Sequence, residues 1–103
     1  MAFTVHDLAI ALGRANARME TLTDELNAAD ARLGDGDTGS MLARLIAAFA
    51  AVDVEVQPDL GAAFMALARA GAASTGSSLG TLVITAMMTA GKETAGQSEI
   101  GCD

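Results

Sequence analysis

The chain has 103 residues, is 51% hydrophobic and carries a net charge of −7, which describes one small folded domain and excludes a largely disordered chain. Its six cations (Arg14, Arg18, Arg32, Arg44, Arg69, Lys92) are dispersed and form no basic stripe, so nucleic acid is not an expected partner. Cys102 stands alone, no apolar run reaches bilayer length and no basic-then-apolar leader opens the chain, so a soluble, cytoplasmic protein without a membrane partner is expected.

Alanine dominates and aromatics are only 3%, with no Trp or Tyr, a composition that favours helix over strand. Val5, Leu8, Leu12, Ala15, Met19, Leu22, Leu26 and Ala29 recur at spacings of three and four, the apolar stripe of a long first helix. Thr4 followed by Asp7 makes a capping box that starts it at Val5. Thr21 and Thr23 lower helix propensity and mark a candidate kink or break. Residues 30–40 hold three aspartates and three glycines and are expected as a loop. Asp37, Thr38 or Ser40 can cap the second helix, whose inner face is Leu42, Leu45, Ile46 and Phe49. A polar connector over residues 52–58 ends at Pro58. Asp59 then caps a third helix with Leu60, Phe64 and Leu67 inward. A small-residue stretch at 70–78 leads into a fourth helix with Leu79, Leu82, Val83, Ala86, Met87 and Ala90 on one face. The polar, Gly-containing tail from residue 91 is expected to fray. The fold class is therefore all-α: four antiparallel amphipathic helices in one domain over residues 1–103, without internal repeat or linker. Up-and-down connectivity puts the loops before the second and fourth helices at the same end.

Two constellations carry chemistry. Asp30, Asp35 and Asp37 offer hard carboxylate oxygens suited to Mg²⁺ or Ca²⁺, and Gly34, Gly36 and Gly39 let the backbone fold tightly around an ion. By itself Asp-Gly-Asp is more often a solvated turn. An EF-hand counted from Asp35 would need a glutamate where Ile46 stands, which argues against it. The second constellation, Ser74, Thr75, Gly76, Ser77 and Ser78, offers hydroxyls and helix-start N–H groups to an anion. It lacks the lysine of a P-loop, and alone it is indistinguishable from ordinary capping. Together, one loop accepts from a cation and the other donates to an anion, the two halves of a Mg²⁺–phosphate unit.

The run Leu-Asn-Ala-Ala-Asp-Ala-Arg-Leu-Gly-Asp-Gly-Asp-Thr-Gly-Ser (26–40) resembles the signature of the nucleotide-binding L subunit of dihydroxyacetone kinases. So does Ala-Ser-Thr-Gly-Ser-Ser-Leu-Gly-Thr (73–81), at the place of that family's phosphate loop. A fatty-acid kinase family shares the Asp-Gly-Asp-Thr-Gly core but fits less well in the residues before it. The resemblance implies half of a barrel of eight antiparallel helices, with nucleotide at one end. It implies Mg²⁺ held by Asp30, Asp35 and Asp37, and ADP or ATP phosphates held by Thr38, Gly39, Ser74, Thr75, Gly76 and Ser77. It implies a partner K-type subunit that presents dihydroxyacetone and, in some systems, a phosphotransferase-system protein that recharges a resident ADP. Thr38 stands where many members have His, and Ala72 and Ala73 stand where glycines are usual. Only about the first half of the family's domain is matched, which implies self-association or a missing C-terminal half. A kinase subunit, a non-catalytic Mg²⁺- and phosphate-binding or assembly module, and a truncated remnant are the functions this leaves open.

The remaining signals are modest. His6 has no evident acid partner and is expected to be an exposed first-turn residue rather than a base. Met41, Met65, Met87 and Met88 are expected to fill gaps in the core. Arg44 and Arg69 can steady phosphate, although solvated surface arginine is the commoner fate.

Overall fold

The computed structural model describes residues 2–32 and 34–101; Leu33 of the first motif and Cys102 and Asp103 of the tail lie outside the described residues. Among the described residues, the chain forms four α-helices and one short two-stranded ribbon. Helix α1 spans Val5–Asp30, and its start is the anticipated capping box. The Thr4 hydroxyl accepts from the Asp7 N–H, while the Asp7 carboxylate accepts from the Thr4 N–H at 3.0 Å. α1 passes Thr21 and Thr23 without a break, and both hydroxyls donate back to helix carbonyls, Thr21 to Arg18 at 3.0 Å and Thr23 to Met19 at 2.6 Å. Its 26 residues set the molecule's 42 Å long dimension. Asp30, expected in the loop, is the last residue of this helix.

Helix α2 spans Thr38–Ala50, α3 spans Leu60–Ser74 and α4 spans Ser78–Glu93. The connector between α2 and α3 tightens into a 3-10 turn at Val54–Val56, with Val54 buried beneath α1. As expected, the Asp59 carboxylate caps α3, accepting from the Ala62 N–H at 2.8 Å. α1 packs on α2, α3 packs on α4, and the two hairpins join through α2 and α3. α1 and α4 are the outer helices and have no substantial contact with each other. The core collects Leu8 and Leu12 of α1, Met41, Leu45 and Phe49 of α2, Val54, and Leu60, Ala63 and Leu67 of α3.

The tail and α4 depart from expectation. Residues 92–101 do not fray: α4 runs to Glu93, Thr94 is buried, and strand β2 (Glu99–Gly101) pairs antiparallel with β1 (Ala2–Thr4). Phe3 sits opposite Ile100, and both pack against the core. The Leu60 N–H donates to the Gln97 carbonyl at 2.8 Å, tying the tail to the start of α3. Partners this distant in sequence leave no local pattern. On α4 the packed face is not the anticipated stripe: Leu79, Leu82 and Ala86 are exposed, whereas Gly80 and Gly91 are buried and Val83 and Met87 pack on the core. A Cβ on Gly91 would lie 2.9 Å from Met65 Cγ, so the α3–α4 seam depends on the absence of a side chain there. An apolar-residue count passes over glycine and so rotates the inferred face. Met41 is core as expected, while Met88 is exposed.

Candidate functional site

The 31–37 loop is organised from the end of α1. Asp30 Oδ2 accepts three backbone N–H groups, from Gly36 at 2.9 Å, Asp37 at 3.1 Å and Thr38 at 3.3 Å. Partial burial raises the Asp30 pKa, but hydrogen bonds from the Thr38 side chain and from the Thr38, Asp37 and Gly36 backbone outweigh it, so the carboxyl lies below its ordinary value. Gly36 adopts φ +77°, the left-handed turn that returns the chain toward α2. At Gly34 a Cβ would come within 2.7 Å of Asp30 Oδ1.

A second clasp involves Asn27, which the motif arithmetic does not single out. Its side-chain amide donates to Ser40 Oγ at 3.0 Å, and its carbonyl oxygen accepts the Ser40 N–H at 3.0 Å. Buried Gly39 lies against α1, where a Cβ would overlap the Thr23 carbonyl. Asp30, Asn27 and Gly39 thus fix how α2 begins. Asp37 occupies the N-cap position of α2 but makes no side-chain capping bond. Asp35 is exposed and makes no hydrogen bond or ion pair with a described residue.

The other loop is built by its hydroxyls. Ser77 caps α4 by accepting the Gly80 N–H at 2.9 Å. The Ser77 N–H in turn donates to Thr75 Oγ1 at 3.3 Å. Ser74 donates to the Gly71 carbonyl at 2.9 Å. A Cβ on Gly76 would meet nothing within 4 Å, so this backbone is open to an incoming group.

The two loops meet. Asp37, Thr38, Met41 and Arg44 from one side and Ser74, Thr75, Gly76, Ser77 and Leu79 from the other line a cleft of ≈ 180 Å³. The structure therefore gathers Asp37, Thr38, Ser74, Thr75, Gly76 and Ser77 of the anticipated set. It places Gly39 in the helix seam, Asp30 as the clasp of the loop and Asp35 outside the lining. Met41 and Arg44 join the lining because they follow Thr38 at steps of three along α2, a spacing already present in the sequence. Two other hollows are larger, ≈ 300 and ≈ 390 Å³, but poorer in chemistry. The first has Asp53 as its one charged lining residue, and in the second Asp59 already serves as the α3 cap.

Among the described residues no three His, Cys, Asp or Glu side chains are gathered as a metal site. Mg²⁺ bound with phosphate needs only one or two carboxylates, its other ligands being phosphate and water oxygens. Asp37 on the cleft, with Asp35 two residues before it in the same loop, meets that requirement in donor chemistry. Asp30 has one oxygen already engaged by three N–H groups. The start of α4, in contrast, presents hydroxyls and the positive end of a helix dipole, the complement for an anion.

No family model, curated protein or solved structure matches the chain. Fold and cleft define it by class: an antiparallel helical bundle in which two helix-starting loops converge on a small polar cleft.

Proposed function

We propose that the chain is the Mg²⁺–nucleotide-binding part of a dihydroxyacetone-type kinase. It holds ADP or ATP phosphates while a phosphoryl group passes to a small keto-sugar presented by a K-type subunit. One observation supports this above the others: the carboxylate loop and the hydroxyl loop, far apart in sequence, line the same cleft. Asp37, with Asp35 beside it, serves as the metal-facing side. Thr38, Ser74, Thr75 and Ser77 offer hydroxyls, and the open backbone at Gly76 lets a phosphate oxygen approach closely. When bound, Mg²⁺ neutralises charge on the phosphate oxygens. The protein's share is positioning and electrostatic stabilisation, which requires no side-chain nucleophile. The donor is ATP, or a resident ADP recharged by a phosphotransferase-system protein. The exposed Leu79, Leu82 and Met88 of α4 are covered by self-association or by a C-terminal half.

Calorimetric titration of ADP and ATP, with Mg²⁺ and then with EDTA, tests this. Binding is expected in Mg²⁺ only, and Asp37→Asn and Asp35→Asn are each expected to weaken it by about tenfold or more with helicity unchanged. Nucleotide affinity indifferent to both changes would overturn the assignment. The cleft's small size favours one alternative, a non-catalytic Mg²⁺- and phosphate-binding or assembly module. A phosphorylation assay with and without a K-type subunit separates the two, since the module yields no sugar phosphate.

A further inference from the structure

The cleft is polarised by charge. Asp37 stands at the N-cap of α2 and Arg44 seven residues later, about 10 Å along the helix axis. Of the six cations in the sequence, Arg44 is the one that lines this cleft. It is exposed and its side chain makes no ion pair or hydrogen bond with a described residue, which leaves its five donors to a ligand. Thr75, Gly76 and Ser77 lie across from it on the other wall. The volume adds a limit. At ≈ 180 Å³ the cleft is smaller than the ~300–1,000 Å³ of a pocket that encloses a drug-sized ligand. It accommodates the metal-bound phosphate end of a nucleotide and leaves the rest outside.

We infer, on the strength of the nucleotide function proposed above, that Arg44 sets specificity for a diphosphate over a monophosphate. A ligand that satisfies both ends of the cleft needs two phosphate groups. One shares the cation held at Asp37, and the other presents free oxygens to the guanidinium. A single phosphate meets one end and leaves the other unpaired. Guanidinium is suited to this task because its planar fork pairs with two phosphate oxygens at once, where an ammonium acts as a point charge. The nucleoside then contributes little, so inorganic pyrophosphate binds about as tightly as ADP.

Pyrophosphate, orthophosphate and ADP titrated in Mg²⁺ into the wild-type chain, Arg44→Gln and Arg44→Lys test this. Wild type is expected to prefer pyrophosphate to orthophosphate by about tenfold or more. Arg44→Gln should lose most of that preference by weakening pyrophosphate and leaving orthophosphate nearly unchanged, and Arg44→Lys should fall between. Because Arg44 is exposed, circular dichroism of both variants should match wild type. A structural role would move both anions together and would not follow the order Arg, Lys, Gln. Wild type that binds ADP while Arg44→Gln keeps the full preference overturns the role of Arg44 and leaves the nucleotide function standing. Wild type that binds neither ADP nor pyrophosphate overturns the nucleotide function and this inference with it.

Discussion

Asp30 and Asp37 are the same residue type seven positions apart, yet the fold gives them different work. Asp30 gathers three N–H groups and closes the loop, whereas Asp37 is left on the cleft without a capping bond. Because the Asp30 carboxyl is held below its ordinary value in the folded state, its contribution to stability is present above the unfolded pKa. It is lost as pH falls through the lowered folded value. Asp30→Asn should therefore remove part of the acid dependence of unfolding and speed amide exchange at Gly36, Asp37 and Thr38, both measurable by NMR across a pH series. Gly39→Ala tests the neighbouring contact: its methyl meets the Thr23 carbonyl and the Asn27 side chain, and overpacking of this kind costs about 1–3 kcal/mol. Denaturant unfolding would read that loss. His6 is the exposed first-turn residue expected, but it does have an acid partner, since its ring pairs with Glu55 of the 3-10 turn. Glu55 is remote in sequence, so no local pattern could show the partner.

At the scale of elements, α2 holds the molecule together. It touches α1 on one side and α3 on the other, and Leu45 at its centre is 0% exposed. Leu45→Ala should cost about 2–5 kcal/mol, because the removed methyl groups leave a cavity between two helix pairs that cannot both close over it. The same element presents Thr38, Met41 and Arg44 to the cleft at steps of three, while Leu45 and Phe49 face the core. One helix thus positions the site and supports the fold, so loss of binding after core mutation needs a stability measurement beside it. α4 is held differently. Its contact with α3 runs from Gly91 against Met65 and Gly61 to Ile84 against Gly71, Val83 and Met87 pack on the core, and Leu82 remains 66% exposed.

For the whole molecule, the consequence is a bundle whose two outer helices have no substantial contact with each other. Ile10 on α1, Val56 in the connector, and Leu79, Leu82 and Met88 on α4 all face solvent. No helix among the described residues is long and apolar enough to cross a membrane, so these side chains do not form a span. The proposed self-association predicts that sedimentation shows concentration-dependent growth in mass, and that Leu82→Lys reduces it without loss of helicity. A monodisperse monomer that unfolds cooperatively at all concentrations would remove the need for a covering partner. The ribbon of β1 and β2 lies at the end opposite the cleft, since α1 begins and α4 ends there.

The sequence by itself determined what depends on neighbours within a few residues. The four helices themselves, the Thr4–Asp7 box, the Asp59 cap and the two glycine- and hydroxyl-rich helix starts are all local, and each is found as the sequence pattern implied. Up-and-down connectivity was enough to bring both loops to one end. Only the tertiary structure decided which of the three aspartates closes the loop and which reaches the cleft, because backbone N–H groups arriving from the turn made that choice. Tertiary structure also decided that Gly80 and Gly91 are packing residues while Leu79 and Leu82 are not. At Gly91 the close approach of α3 and α4 selects against a side chain, at Gly80 the Thr75 and Ser77 side chains of the preceding turn do so, and an apolar periodicity cannot register a residue whose role is to have none. The pairing of Ala2–Thr4 with Glu99–Gly101 belongs to the same category, being fixed by contacts across nearly the whole chain.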